Sequence, residues 1–77
     1  MSINEIFNAI QAERAYQESK WAGTDQINNE YNWAAYIGAY TNRNLIGTPG
    51  ESQERKEKFK QDMIKVAALA VAAIEKL

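Results

Sequence analysis

Residues 59–74 read Phe-Lys-Gln-Asp-Met-Ile-Lys-Val-Ala-Ala-Leu-Ala-Val-Ala-Ala-Ile, and this stretch decides the fold. Phe59, Met63, Val66, Ala67, Ala70, Val71 and Ile74 recur at three- and four-residue intervals, with alanine in most of the gaps. That spacing predicts a long helix with apolar residues on more than one side. A chain of 77 residues has little material with which to cover such a helix on every side. The reading is therefore an all-α protein whose core is completed by homo-oligomerisation.

The segments upstream carry the same period. Ser2 and Glu5 have the spacing of a capping box, and Ile3, Ile6, Phe7 and Ile10 follow as a helical stripe. Arg14, Gln17 and Trp21 continue that face, until Gly23 and Thr24 interrupt it near Asp25. After the polar segment 24–29, Trp33, Tyr36, Ile37 and Tyr40 mark a second, shorter helix from Glu30. Ala34, Ala35, Gly38 and Ala39 lie between the large residues. Small residues beside large aromatics suit close approach of another helix, and equally a groove for a flat ligand.

Residues 42–50 have turn composition and end the second helix. The third helix starts in a window where Thr48-Pro49-Glu51 and Ser52 are both plausible caps. Its first half, residues 51–65, is strongly charged and its second half nearly all apolar, so one end should face water and the other should be packed. Residues 1–77 thus read as a single domain of two long helices with a shorter one between them.

Composition narrows the chemistry. There is no histidine and no cysteine, which removes the commonest general base, thiol nucleophiles, disulfides and most zinc or haem ligation. A net charge of -1 gives no overall pull toward nucleic acid or an anionic membrane. No apolar run approaches the roughly 20 residues of a membrane span, and the first residues do not resemble a secretory signal. A cytoplasmic location without membrane or nucleic-acid partners is the expectation. Metal-dependent catalysis would need several carboxylates on adjacent turns, because Mg²⁺ takes oxygen ligands at about 2.1 Å. Glu13, Glu18, Asp25, Glu30 and Asp62 are scattered, so neither a metal site, a cofactor nor an enzyme activity is expected.

The concentration of aromatics is what points to a ligand. Trp21, Tyr31, Trp33, Tyr36 and Tyr40 are flanked by Lys20 and Arg43. Aromatic rings stack on nucleobases and a cation pairs with phosphate, so the combination suits a nucleotide-like small molecule. The competing reading is plain core packing, which helical spacing favours for Trp33 and Ile37. Tyr36, Tyr40 and Arg43 have polar tips near the loop, and Lys20 and Trp21 would form the opposite wall. Arg55, Lys56, Lys58, Lys60 and Lys65 alternate with Glu51, Glu54, Glu57 and Asp62, the pattern of a solvated face.

Taken together, Glu13-Arg14, Gln17, Lys20-Trp21, Trp33 and the run from Lys65 to Glu75 resemble short bacteriophage and prophage proteins, some of them similar to MazG-type nucleotide pyrophosphohydrolases. In that family a Glu-Glu-x-x-Glu motif and a Glu-x-x-Asp motif hold Mg²⁺ against a nucleotide triphosphate. The resemblance puts the first motif near Ala39, Tyr40 and Arg43, where the acids are missing, and leaves only Asp62 near the second. It therefore implies nucleotide binding without turnover, with Arg43 neutralising phosphate directly. By analogy with small helical phage oligomers that take up cyclic nucleotide or cyclic ADP-ribose immune signals, the expected use is sequestration. A protein-interaction module that inhibits a host or defence protein is the alternative, and a residual pyrophosphohydrolase a second one.

Overall fold

A computed structural model describes residues 1–21, 29–42 and 53–77. Among these residues the fold is all-α: α1 spans Ile3–Lys20, α2 spans Glu30–Asn42 and α3 spans Gln53–Lys76. The long–short–long order is the one the sequence pattern predicts. Both proposed caps of α3 lie outside the described residues.

Each described start has a chemical cause. Ser2 has extended backbone, its hydroxyl oxygen accepts from the Glu5 amide at 3.2 Å, and the Glu5 carboxylate accepts from the Ser2 amide at 3.1 Å. This reciprocal box satisfies two donors that the helix cannot satisfy internally. Those bonds hold the Glu5 carboxyl below its ordinary value, the backbone amide of Ser2 contributing most. At α2 the device is built from asparagines: Asn29 Oδ1 accepts from the Asn32 amide and Asn32 Oδ1 from the Asn29 amide, each at 3.0 Å. α1 stops at Lys20, with Trp21 as its C-cap, and the Trp21 amide still donates to the Gln17 carbonyl. Gly23, which the sequence offers as the stop, is outside the described residues.

α3 is the shared partner, with α1 and α2 each packed along it. The core is small: Trp33, Leu69 and Ala72 are buried together, with Trp21, Ile37, Tyr40 and Ala73 packed around them. The charged first half of α3 is exposed from Gln53 to Gln61 and burial begins at Asp62, close to the expected division. Two neighbours do not enclose the helix. Phe59 and Val71 are half-exposed and Ile74 is 80% exposed. The α1 stripe is likewise open, with Ile3 65% and Phe7 56% exposed. Met1, Ile6 and Ile10 of the α1 end, with Phe59, Met63 and Ile64 of α3, line an open groove of about 390 Å³.

Salt bridges fasten the other end of the α1–α3 pair. Arg14 meets Glu18 at 2.8 Å and Glu75 at 3.3 Å, and Lys76 reaches back to Glu18 at 3.2 Å. Burial opposes the Arg14 charge, but the bond to Glu18 and the field of Glu75 outweigh it, so its pKa is raised. The Arg14 hydrogen bond, then that of Lys76, lowers the Glu18 pKa. No helix of the described residues is long and apolar enough to cross a membrane.

Candidate ligand site

The end of α1, the inner face of α2 and the middle of α3 bring four of the six predicted site residues together. The Trp21 ring stacks on Tyr36 with centroids 6.3 Å apart and planes 26° from parallel. Tyr36 in turn meets Trp33 edge to face, at 6.1 Å and 87°. Both arrangements are favoured by the ring quadrupoles. Tyr40, one turn beyond Tyr36 on α2, packs on the same cluster. The spacing Trp33, Tyr36, Tyr40 is what allows this, since residues three and four apart share a helix face.

The four rings have different surroundings. Trp33 is 2% exposed and belongs to the core, as its helical spacing suggests. Trp21 and Tyr40 are half-buried, while Tyr36 is 42% exposed and presents the accessible part of the cluster. Tyr31, also on α2, is 82% exposed and takes no part in the stack. Ala34, Ala35 and Ala39 are exposed, so among the described residues no helix uses the small side of α2 for close packing. A Cβ placed on Gly38 would meet only Asn42 Nδ2, at 3.9 Å.

The cations are arranged differently from the expectation. Lys20 lies over Tyr16 of its own helix, Nζ 5.8 Å from the ring centroid, rather than across from α2. Among the described residues the cation at the cluster is Lys65, whose Nζ stands 5.6 Å from the Tyr40 centroid. The alternating charges of α3 predict a solvated face for Lys65, but the residue is half-buried. Arg43 lies outside the described residues.

Two polar residues that residue type alone did not mark are buried on α1 and α3. Asp62 is 1% exposed, which corrects its assignment to the solvated face. Counting back seven residues from Leu69 reaches Asp62, so the register of α3 carries the signal. Gln17, 3% exposed, is wedged between α1 and α3 and donates its amide Nε2 to the Lys65 carbonyl at 3.4 Å. Among the described residues no three His, Cys, Asp or Glu side chains are grouped so as to hold a metal ion.

The arrangement offers a stacking surface with a neighbouring ammonium group. Comparison with protein-family models, curated proteins and solved structures finds no match to this chain.

Proposed function

We propose that the protein binds a nucleotide-like small molecule without turning it over, the stacked cluster of Trp21, Tyr36 and Trp33 being the observation that carries this reading. The ligand's base lies on the exposed part of Tyr36, with Trp21 and Tyr40 at its sides. Its phosphate is taken by Lys65 and by Arg43, with Lys20 as an outlying cation. Stacking and charge pairing hold a ligand without acting on its bonds, and in this reading the ligand is retained intact. A non-catalytic holder acts by lowering the free concentration of what it binds. The sequence resemblance to phage proteins supports a cyclic nucleotide or cyclic ADP-ribose type immune signal as the ligand, and the host cytoplasm as the place of action.

The open apolar surface supports a homo-oligomer in the same proposal. Ile3 and Phe7 of α1 are exposed, and Phe59 of α3 lines an open apolar groove with Ile6 and Ile10. Surface of this kind is what subunits cover when a small domain completes its core by association. The same surface favours, as a second reading, a protein-interaction module that blocks a host or defence protein.

Calorimetric titration with cyclic ADP-ribose and with cyclic dinucleotides tests the proposal. One of them should bind, and Tyr36→Ala should lose about 1 to 3 kcal/mol of affinity, the contribution of one stacked base. No heat with any of them would transfer the weight to the protein-interaction reading. Magnesium-dependent release of pyrophosphate from a nucleoside triphosphate, lost in Asp62→Ala, would replace holding by hydrolysis.

A further inference from the structure

Residues 59–77 carry a second apolar line besides the one that packs on Trp33. Phe59, Met63, Ala67, Ala70, Ile74 and Leu77 follow at intervals of four, four, three, four and three, so they share one side of α3. The Leu77 amide donates to the Ala73 carbonyl at 3.1 Å, which holds Leu77 in that register just past the helix end. At about 100° per residue, the line lies about 140° round the helix from Leu69 and Ala72, which are buried with Trp33. Among the described residues it is left open. Phe59 is 49%, Ile74 80% and Leu77 66% exposed, and Met63, Ala67 and Ala70 are only half-buried. The open area has the scale of an interface. The chain exposes 5725 Å², whereas the scaling of surface with mass gives a compact monomer of 8.7 kDa about 4,700 Å². The excess, about 1,000 Å², is more than the roughly 800 Å² that each partner covers in a standard stable complex.

The sizes along this line read the same in both directions. Phe59 and Met63 are large, Ala67 and Ala70 small, Ile74 and Leu77 large again. Two helices that cross are closest at the crossing point and diverge to either side, so small residues suit the centre and large ones the ends. We infer that this side of α3 docks on the same side of α3 in a second copy, antiparallel, about a two-fold axis that passes between Ala67 and Ala70. Ala67 of one copy then lies beside Ala70 of the other, and Met63 beside Ile74, each contact occurring twice. Charge selects the antiparallel sense. Lys56 and Lys60 precede Phe59 and Met63 by three residues on that side. A parallel pair sets each lysine against its own copy, and an antiparallel pair moves the copies to opposite ends. The inference rests on the homo-oligomer part of the proposed function, names the surface and pairing that form it, and leaves the aromatic cluster outside the contact.

The chain has no cysteine, so introduced thiols report alone. Met63→Cys and Ile74→Cys proteins, treated with a short bismaleimide separately and after mixing with subunit exchange, read the pairing on a denaturing gel. The mixture should yield a covalent dimer with one copy of each. Neither variant alone should, because the antiparallel pair holds identical positions about 16 Å apart along the helices, at about 1.5 Å per residue. Dimers of Met63→Cys with itself in place of mixed ones would overturn the pairing. Sedimentation equilibrium of the wild type should give a dimer or a multiple of it, and Ala70→Glu should raise the dissociation constant more than about tenfold by burying an unpaired carboxylate. An oligomer that Ala70→Glu leaves intact and that the thiols do not link would overturn this surface while leaving self-association in place. A monomeric wild type would overturn both and assign the face to another protein. The crosslinks decide between these outcomes even if Ala70→Glu fails to fold.

Discussion

Leu69→Ala is the sharpest test of how the three helices are held. Leu69 is 0% exposed and packs in one cluster with Trp33 and Ala72, at 2% and 1% exposure. Truncation removes the side-chain methyls and leaves a cavity walled by a rigid indole and by alanines too short to fill it. Substitutions of this type cost about 2 to 5 kcal/mol, and poor collapse places this one near the middle, at about 3 kcal/mol. At roughly 0.05 to 0.15 kcal/mol per residue, a chain of 77 residues has about 4 to 12 kcal/mol in all. The loss is thus a quarter to three quarters of the total, and lowers the melting temperature by about 12 to 24 °C. Urea titration followed by tryptophan emission measures it, with Trp33 reporting from beside the cavity. Ile74→Ala is the control, because Ile74 lies on the same helix but is 80% exposed, and in dilute protein it should cost less than about 0.5 kcal/mol. A loss below about 1 kcal/mol for Leu69→Ala, or equal losses for both variants, would refute the placement of the core.

Other substitutions probe single features. Gly38→Ala should stabilise the protein by about 0.5 to 1 kcal/mol in thermal unfolding, since the added methyl meets only Asn42 at ordinary contact distance and alanine is the better helix former. Ser2→Ala should lose about 1 kcal/mol by removing one half of the α1 capping box, measured in the same way. Glu18 has a folded-state pKa below its ordinary value of 4.5, so its contribution to stability is complete above that value and is lost as pH falls through the lowered one. Carboxyl NMR titration of Glu18 checks this, and Arg14→Gln should return its pKa toward the ordinary value. Arg43→Ala should weaken ligand affinity by about 1.5 to 3 kcal/mol, the range for hydrogen bonds to charged groups, and calorimetry that finds no change would remove Arg43 from the site.

The fold was legible wherever apolar periodicity ran unbroken. The Ser2–Glu5 box, the Trp33–Tyr40 stripe and the transition to burial along α3 follow from spacing and from which residues water solvates poorly. Polar residues on a packed face were harder to find. Residue type assigns Asp62 and Lys65 to solvent, while Asp62, in register with Leu69, is buried and Lys65 lies over Tyr40. Ile74 shows the opposite error. Its spacing belongs to the apolar stripe, yet α1 and α2 leave it open, because periodicity marks a face without saying what covers it. The aromatic cluster was legible as a set, but ring orientation depends on the crossing of three helices, which local spacing does not encode. That is why Lys20, next to Trp21 in the chain, turns instead to Tyr16.

Whether the protein holds a small molecule is best tested by native mass spectrometry after incubation in extracts of cells producing nucleotide immune signals, since one spectrum reports assembly state and retained ligand together. The account predicts a homo-oligomer carrying a discrete added mass that heat releases unaltered and that Tyr36→Ala fails to retain. Protein that emerges from every extract without added mass would contradict it.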